Sequence, residues 1–309
     1  MLSRVAANLY WLSRYIERSD GVLRMLKINY ASSQDALNEF SWRPVIKIYS
    51  DIEEEQLQQL EFNSRAVLEY MVMDKKNPFS ILNMITMARE NARSVQDHIT
   101  KDLWQCLNEY YLVIKDPNLA KSLQKDDPVS VLDILIKQIM LYYGTAEVTM
   151  ERGEGRSFMN IGKYLERSIQ SVEVLRVKFD SIDNNPDLLT DTTYWKHLLL
   201  SLGGYDLYLK TYRHGIEAEN ILNQVVLNND FPRSVIYSVN NIFRYFSKLK
   251  TDNHIEDRDL SFTIGKLQSR IKYSSAKSID QERLVFINSV KHDLYHIGNA
   301  LNDQYFAYS

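Results

Sequence analysis

Cysteine occurs once in the 309 residues, at Cys106, which excludes an intrachain disulfide framework and a cysteine metal cluster and fits a reducing cytoplasm. An excess of one charge is missing too. The 37 basic and 40 acidic side chains leave a formal net charge of -3, so no long-range field draws in a polyanion and nucleic acid is not the expected partner. No uncharged apolar run reaches the ~18 residues a spanning helix needs, and Arg4, Arg14, Glu17 and Arg18 interrupt the opening segment where a secretory signal would lie. These absences predict a soluble, cytoplasmic protein with no membrane partner. A Gly-rich phosphate loop, a Gly-x-Ser-x-Gly elbow and a His-Glu-x-x-His pair are all absent, which removes the enzyme classes those motifs announce.

Glycine (10) and proline (6) are scarce against average usage of roughly 7% and 5%, and few turn-formers mean few breaks between long elements. With 45% hydrophobic residues the chain can cover a sizeable core. No segment alternates long enough to read as a strand, so the fold class is all-α. Tyrosine is abundant (20), and a buried tyrosine wants a partner for its hydroxyl, so polar contacts should thread the core.

The first helix reads from about Ser3 past Tyr30, and Val5, Leu9, Leu12, Ile16 and Leu23 share one face at about 100° per residue, with Glu17 at its shoulder. Much of it recurs as Ser157 to Ser168, where Phe158, Ile161, Leu165, Ile169 and Val172 repeat the stripe and Glu166 repeats Glu17. One turn before each glutamate stands a small residue, Ser13 or Gly162, leaving room for a side chain, water or ligand. Tyr15 and Tyr164, Trp42 and Trp195, Leu68 and Leu222, and Pro78 and Pro232 pair at offsets of 149, 153, 154 and 154 residues. Four anchors in one order at near-constant offset indicate tandem helical units. The expected organisation is one large helical bundle over 1-309 built from pseudo-symmetric halves, about 1-152 and 153-309, pivoting at Glu151-Arg152-Gly153-Glu154-Gly155. Its two opening helices either face each other or lie in an elongated array.

Between these landmarks, short helices are expected from Ser41-Trp42-Arg43-Pro44, over Arg65 to Met73, and over Lys101 to Lys115. Ser80 should cap a helix whose stripe runs Ile81, Met84, Ala88, Ala92, Val95, Ile99. Pro117 and Pro128 should bracket a connection before a long apolar helix over Val129 to Met150. In the second half, Arg156 to Phe179, Tyr194 to Leu202, Tyr205 to Tyr212, Ile216 to Leu227, a helix opened by Pro232 and Ser234, Asp257 to Tyr273, and Ile279 to Phe306 read as helical.

The residues that could carry chemistry are carboxylates and guanidiniums at helical spacing: Glu17 with Arg18, Glu166 with Arg167, and Arg89, Glu90, Arg93 and Asp97. A planar guanidinium matches a carboxylate, so Arg93 could hold Glu17 or Glu166 across a groove. Such a network either fixes helix register or forms a paired-carboxylate site for acid-base work or substrate grip. His292, Asp293 and His296 make a metal half-site, but a di-metal bundle needs a Glu-x-x-His from each of two helices, so no metal or cofactor is expected. Trp11, Trp42, Trp104 and Trp195 read as core, and Lys210, Arg213 and His214 as a small basic patch or a helix end.

Leu2 to Arg18, Ala88-Arg89-Glu90-Asn91-Ala92-Arg93-Ser94-Val95, Tyr164-Leu165-Glu166-Arg167-Ser168 and Phe231-Pro232-Arg233-Ser234-Val235 together resemble the Alpha-E domain family over nearly the whole chain. Ser19 and Ser168 stand where alanine is frequent in that family, a mild departure. The resemblance implies an all-helical domain with Glu17, Glu90 and Glu166 as functional carboxylates and Arg18, Arg89, Arg93, Arg167 and Arg233 beside them, binding substrate or partner. It also implies an accessory partner of a circularly permuted ATP-grasp protein, alongside a transglutaminase-like peptidase. The implied role is in making a peptide or amide-linked product, with a peptide or amino-acid substrate and ATP on the partner. The rival readings are an enzyme that acts on the amide product through Glu17 or Glu166, with Arg93 holding an oxyanion or carboxylate, and a structural scaffold.

Overall fold

A computed structural model describes residues 1–35, 40–125, 127–213, 215–253 and 258–306. Regular structure among them is helical throughout, with sixteen α-helices, short 3-10 and π turns, and no strand. His214 of the basic patch and Asp257, the expected start of a helix, lie outside the described residues. The chain divides into two compact units, Trp11–Glu151 and Met1–Tyr10 with Arg152–Ser309.

Helix α1 (Ser3–Asp35) is a single helix of 33 residues, of which those up to Tyr10 belong to the C-terminal unit and those from Trp11 on to the N-terminal unit. No proline removes an amide donor along it. Leu9, Leu12, Ile16 and Leu23 are fully buried on the expected stripe, and Leu26 is fully buried beyond it. Ser13, Glu17, Ser19 and Asp20 are buried as well, so α1 is enclosed well beyond one apolar face. Pro44 sits in the first turn of α2 (Arg43–Tyr49), where its missing amide hydrogen costs nothing. Trp42 before it is fully buried, and its indole donates to Ser64 Oγ at 3.0 Å. Arg43 forks onto Glu61 at 3.0 and 2.9 Å and reaches Glu54 at 2.5 Å. The acidic stretch Asp51-Ile52-Glu53-Glu54-Glu55 leads into α3 (Glu54–Leu60), and Arg43 holds the Glu54 and Glu61 carboxyls below their usual range.

Four further helix starts in this unit share one device. Asn63 caps α4 (Ser64–Val72), Ser80 caps α5 (Ile81–Arg93), Thr100 caps α6 (Lys101–Ile114) and Asp127 caps α8 (Pro128–Thr149). Each side chain accepts the amide three residues on, a contact typically worth about 1 kcal/mol. The Thr100 cap also explains why α5 stops at Arg93. Ile81, Met84, Ala88 and Ala92 form the buried stripe as expected, but the chain turns through Gln96–His98 to set up α6, so Val95 and Ile99 lie beyond the helix. Pro117 likewise opens a helix, α7 (Pro117–Lys125), where a connection is expected. Proline suits a first helical position, and Leu119 and Leu123 bury its apolar side. Helix α8 has the length and mean hydropathy, 1.2, of a membrane-crossing segment, yet Asp133 on it pairs with Lys27 at 2.6 Å and its neighbours are α6 and α7.

In the C-terminal unit, α9 (Glu154–Asn184) is the central element. The unit continues with α10 (Thr192–Ser201), α11 (Tyr205–Thr211), α12 (Ala218–Leu222), α13 (Val235–Asn253), α14 (Arg258–Lys272), α15 (Ala276–Gln281) and α16 (Arg283–Leu301). Helix α9 packs on α13 and α16. Gly203, at φ 65°, makes the left-handed turn between α10 and α11 that other residues resist. Ser234 caps α13 by accepting Tyr237 N at 3.1 Å while donating to Asn228 O at 2.6 Å. The helix expected over Ile279 to Phe306 is two helices and a turn. A Ser275–Ser278 capping box starts α15, Glu282 at φ -133° interrupts, and α16 widens after Leu301 into the π turn Asn302–Phe306. Phe306 then closes on Tyr10 and Phe158, with ring centroids at 5.0 and 6.0 Å.

Gly162 belongs to this packing. A β-carbon there would lie 2.4 Å from the Tyr10 carbonyl oxygen, a backbone atom that cannot swing aside. The space one turn before Glu166 is thus filled by Tyr10, which belongs to the same compact unit. Gly144 in α8 is exposed and has nothing within 4 Å of its β-carbon position. Opposite signs are expected for the same substitution in urea titrations: Gly162→Ala destabilises by about 1–3 kcal/mol or more, whereas Gly144→Ala stabilises by about 0.5–1 kcal/mol. Equal effects at the two sites would contradict the close approach at Tyr10.

Candidate functional site

The Glu-Arg repeats place two adjacent residues about 100° apart around a helix, so they meet different surroundings. In the N-terminal unit Glu17 is fully buried and accepts a hydrogen bond from Tyr143 Oη of α8. One turn earlier Ser13 shares a hydrogen bond with Tyr142 Oη at 3.3 Å. One turn later the buried Asp20 pairs with Arg24 at 3.0 Å. Tyr110 of α6, fully buried, has its hydroxyl pushed well above its ordinary pKa by burial, with the Asp20 charge adding to it. Residues 13, 17, 20 and 24 thus form a polar ladder on one face of α1, with Ser13 and Glu17 bonded to Tyr142 and Tyr143 of α8 and Asp20 paired with Arg24.

Arg18 leaves that face and stacks over Phe79 at 5.1 Å, in the turn just before the Ser80 cap of α5. Ser19 bonds back to Tyr15 O at 2.8 Å. Arg89, Glu90 and Arg93 join into one cluster on α5. Arg89 donates to Asn108 at 2.8 Å, lies over Tyr111 at 4.6 Å and Trp104 at 5.4 Å, and pairs with Glu90 at 2.9 Å. Arg93 takes the other oxygen of Glu90 at 2.6 Å with 62% of its side chain exposed. The carboxylate Arg93 holds is therefore its helical neighbour Glu90, because a contact within one helix needs no second element to be in register. Asp97 is exposed in the turn beyond α5.

In the C-terminal unit Glu166 is 1% exposed. Arg167 lies over Tyr164 at 5.4 Å and donates to Pro232 O at 3.3 Å, in the turn just before the Ser234 cap of α13. Ser171 donates to Arg233 O at 2.7 Å in the same turn. Tyr164 also stacks on Tyr245 at 6.2 Å and meets Tyr237 edge-on at 6.0 Å. Burial raises its hydroxyl pKa, opposed by the Arg167 charge. Glu17, Arg18, Arg89, Glu90 and Arg93 therefore lie in one compact unit, and Glu166, Arg167 and Arg233 in the other.

A family model described as a predicted alpha-helical domain with a conserved ER motif matches residues 1–306. The chain belongs to the Alpha-E family. No curated protein and no solved structure matches it. Glu-Arg occurs four times in this Alpha-E chain, at Glu17-Arg18, Glu151-Arg152, Glu166-Arg167 and Glu282-Arg283. Only the first and third lie inside a Tyr-x-Glu-Arg-Ser repeat, and in both of these the glutamate is buried. Among the described residues no three His, Cys, Asp or Glu side chains group as metal ligands. His292 and His296 are exposed, and Asp293 is engaged by Arg270 at 2.8 Å. Of the tryptophans, Trp42 and Trp195 are fully buried core, while Trp11 and Trp104 are partly exposed beneath Arg14 and Arg89. Tyr142, Tyr143 and Asp20 are partners that sequence reasoning does not single out; the one signal for them is tyrosine inside an otherwise apolar helix.

Tyr143→Phe removes a hydroxyl from a sealed carboxylate and is expected to lower unfolding free energy by about 1–3 kcal/mol in urea titrations. Arg93→Ala, at the exposed end of the α5 cluster, should leave the midpoint nearly unmoved. Tolerance of Tyr143→Phe with no loss would contradict the Tyr143–Glu17 contact.

Proposed function

We propose that this protein is a non-catalytic accessory partner of a circularly permuted ATP-grasp ligase that makes a peptide or amide bond, with ATP held by the ligase. The observation that carries the reading is the burial of both motif glutamates. A general base has to meet its substrate's proton at hydrogen-bond distance. Glu17 at 0% exposure and Glu166 at 1% have no surface to offer. These carboxylates fix helices, and the chemistry belongs to a protein that this one serves. The partner-facing groups are the guanidiniums on the outside of the same motifs, with Arg93 the most open of those on α5 and Arg18, Arg89, Arg167 and Arg233 nearer the helix turns. A transglutaminase-like peptidase acting on the same product is a further expected associate.

The proposal includes a tandem origin for the two units. Eight α-helices precede Glu151 and eight follow it among the described residues. The correspondence runs deeper than number. Ser80 and Ser234 each cap the fifth helix of their series, Trp42 and Trp195 are both fully buried before or within the second, and Arg18 and Arg167 each reach the turn preceding that serine cap. Agreement in element order, capping chemistry and side-chain role supports duplication of one helical unit.

The test is co-purification with a candidate ATP-grasp protein, followed by mass spectrometry of the product formed with ATP. Co-elution and faster turnover on adding this protein are expected, and Glu17→Gln and Glu166→Gln should cost activity only in proportion to the fraction unfolded. No co-elution together with unchanged turnover would overturn the accessory reading. Lost product at an unchanged melting temperature would instead move the chemistry onto the glutamates.

A further inference from the structure

Helix α8 carries an apolar surface that its own unit leaves open. Its inner side packs on α6 and α7 and meets α1 through Tyr142 and Tyr143, and Val131, Leu132, Leu135 and Ile139 are buried there. Yet only 28% of its most apolar 18-residue stretch is buried. On the outer side Ile134, Leu141 and Val148 are 43%, 49% and 82% exposed, and they stand seven residues apart. Lys137 and Gly144, both exposed, fall between them at the spacing of a coiled-coil seam. An exposed apolar stripe rimmed by charge marks an interaction surface.

Charge is divided along this helix. Towards its N-terminal end Asp127 is engaged in the cap and Asp133 by Lys27 at 2.6 Å. Lys137 makes no ion pair with any described residue and is the charge left on the seam. Towards the C-terminal end the exposed charges are the acids Glu147 and Glu151. Two such helices running the same way would set lysine beside lysine and acid beside acid, whereas an antiparallel pair sets lysine beside acid.

We propose that the outer face of α8 pairs with the same face of a second copy of this chain, the two helices antiparallel about a twofold axis. Leu141 of each copy enters the space over Gly144 of the other, where nothing lies within 4 Å of the β-carbon position. In a self-complementary contact the register repeats from the other side, and it brings Lys137 opposite Val148, beside Glu147 and Glu151. The face thus answers itself in shape and in charge, with no other protein required. A helix of 22 residues is about 33 Å long. One such pair buries less than the ~1,600 Å² of a standard interface, so the dimer forms at micromolar concentration and separates on dilution. This inference stands apart from the ATP-grasp reading, since its test contains only this chain.

Sedimentation equilibrium of the full chain, from low micromolar to several hundred micromolar, reads the association. The mass is expected to rise from 36.3 kDa towards twice that value. Leu141→Asp places two like charges on the seam and should hold the mass at the monomer value, while Lys137→Glu should weaken association about 10-fold. Lys137→Glu combined with Glu147→Lys and Glu151→Lys should restore it, and thermal melts by circular dichroism check that each variant is folded. Direction is read by carbodiimide cross-linking of the dimer. Lys137 and Glu147 are ten residues, about 15 Å, apart on one helix, too far for a zero-length link within a copy, so a link between them reports an antiparallel pair. A mass of 36.3 kDa at every concentration, or a dimer indifferent to Leu141→Asp, would overturn the proposal. A monomer that floats with phosphatidylcholine vesicles would overturn it in favour of a lipid surface. A dimer lost with Leu141→Asp but unmoved by Lys137→Glu would overturn the antiparallel register.

Discussion

A carboxylate enclosed between helices and answered by a tyrosine hydroxyl is the contact on which the N-terminal unit depends. Removing an ionised carboxyl from water costs several kcal/mol, and only partners already in position offset that cost. Glu17 finds Tyr143 from α8 in place, 126 residues further along the chain. The contact therefore forms only when α1 and α8 have the right register and rotation. Ser13 with Tyr142 repeats the requirement one turn earlier. A purely apolar interface could slide by a turn at modest cost; this ladder could not.

The neighbouring arginine does a second job because successive residues on a helix point about 100° apart. With the glutamate directed inward, Arg18 and Arg167 reach sideways to the turns before the Ser80 and Ser234 caps. One dipeptide thus fixes both what lies beneath the helix and where the fifth helix of each unit begins. That division of labour explains how one dipeptide can matter to the packing of each unit.

Helix starts were legible because their chemistry is local. Ser80, Ser234 and Pro44 announce their roles within four residues, and the Trp42 and Trp195 anchors are both core, whereas Pro232 stands in the turn before α13 rather than in its first turn. Helix ends were less so, since the stop of α5 at Arg93 and the break at Glu282 follow from what comes next in space. Pro117 shows one residue type opening a helix or a loop on identical local grounds. Gly162 shows the deeper ambiguity: a small residue beside a carboxylate can leave room for a ligand or for another backbone, and here the Tyr10 carbonyl takes it. Helical spacing lets Arg93 interlock with Glu90 or reach Glu17 or Glu166 across a groove, and it takes Glu90, three residues away on the same helix. Tyr143, the tyrosine that answers Glu17, could not be assigned from sequence, because nothing in α8 marks which of its residues face α1.

Carboxyl footprinting of the native protein addresses the central claim most directly. Coupling a small amine with a water-soluble carbodiimide, followed by peptide mapping, reads which acids solvent can reach. Glu54 and Glu90, with 56% and 38% of their side chains exposed, should label readily, while Glu17 and Glu166 stay unmodified until the protein is unfolded. Labelling of Glu17 or Glu166 in the folded protein at the rate seen for Glu90 would contradict the account and return the motif to the surface as a site for chemistry.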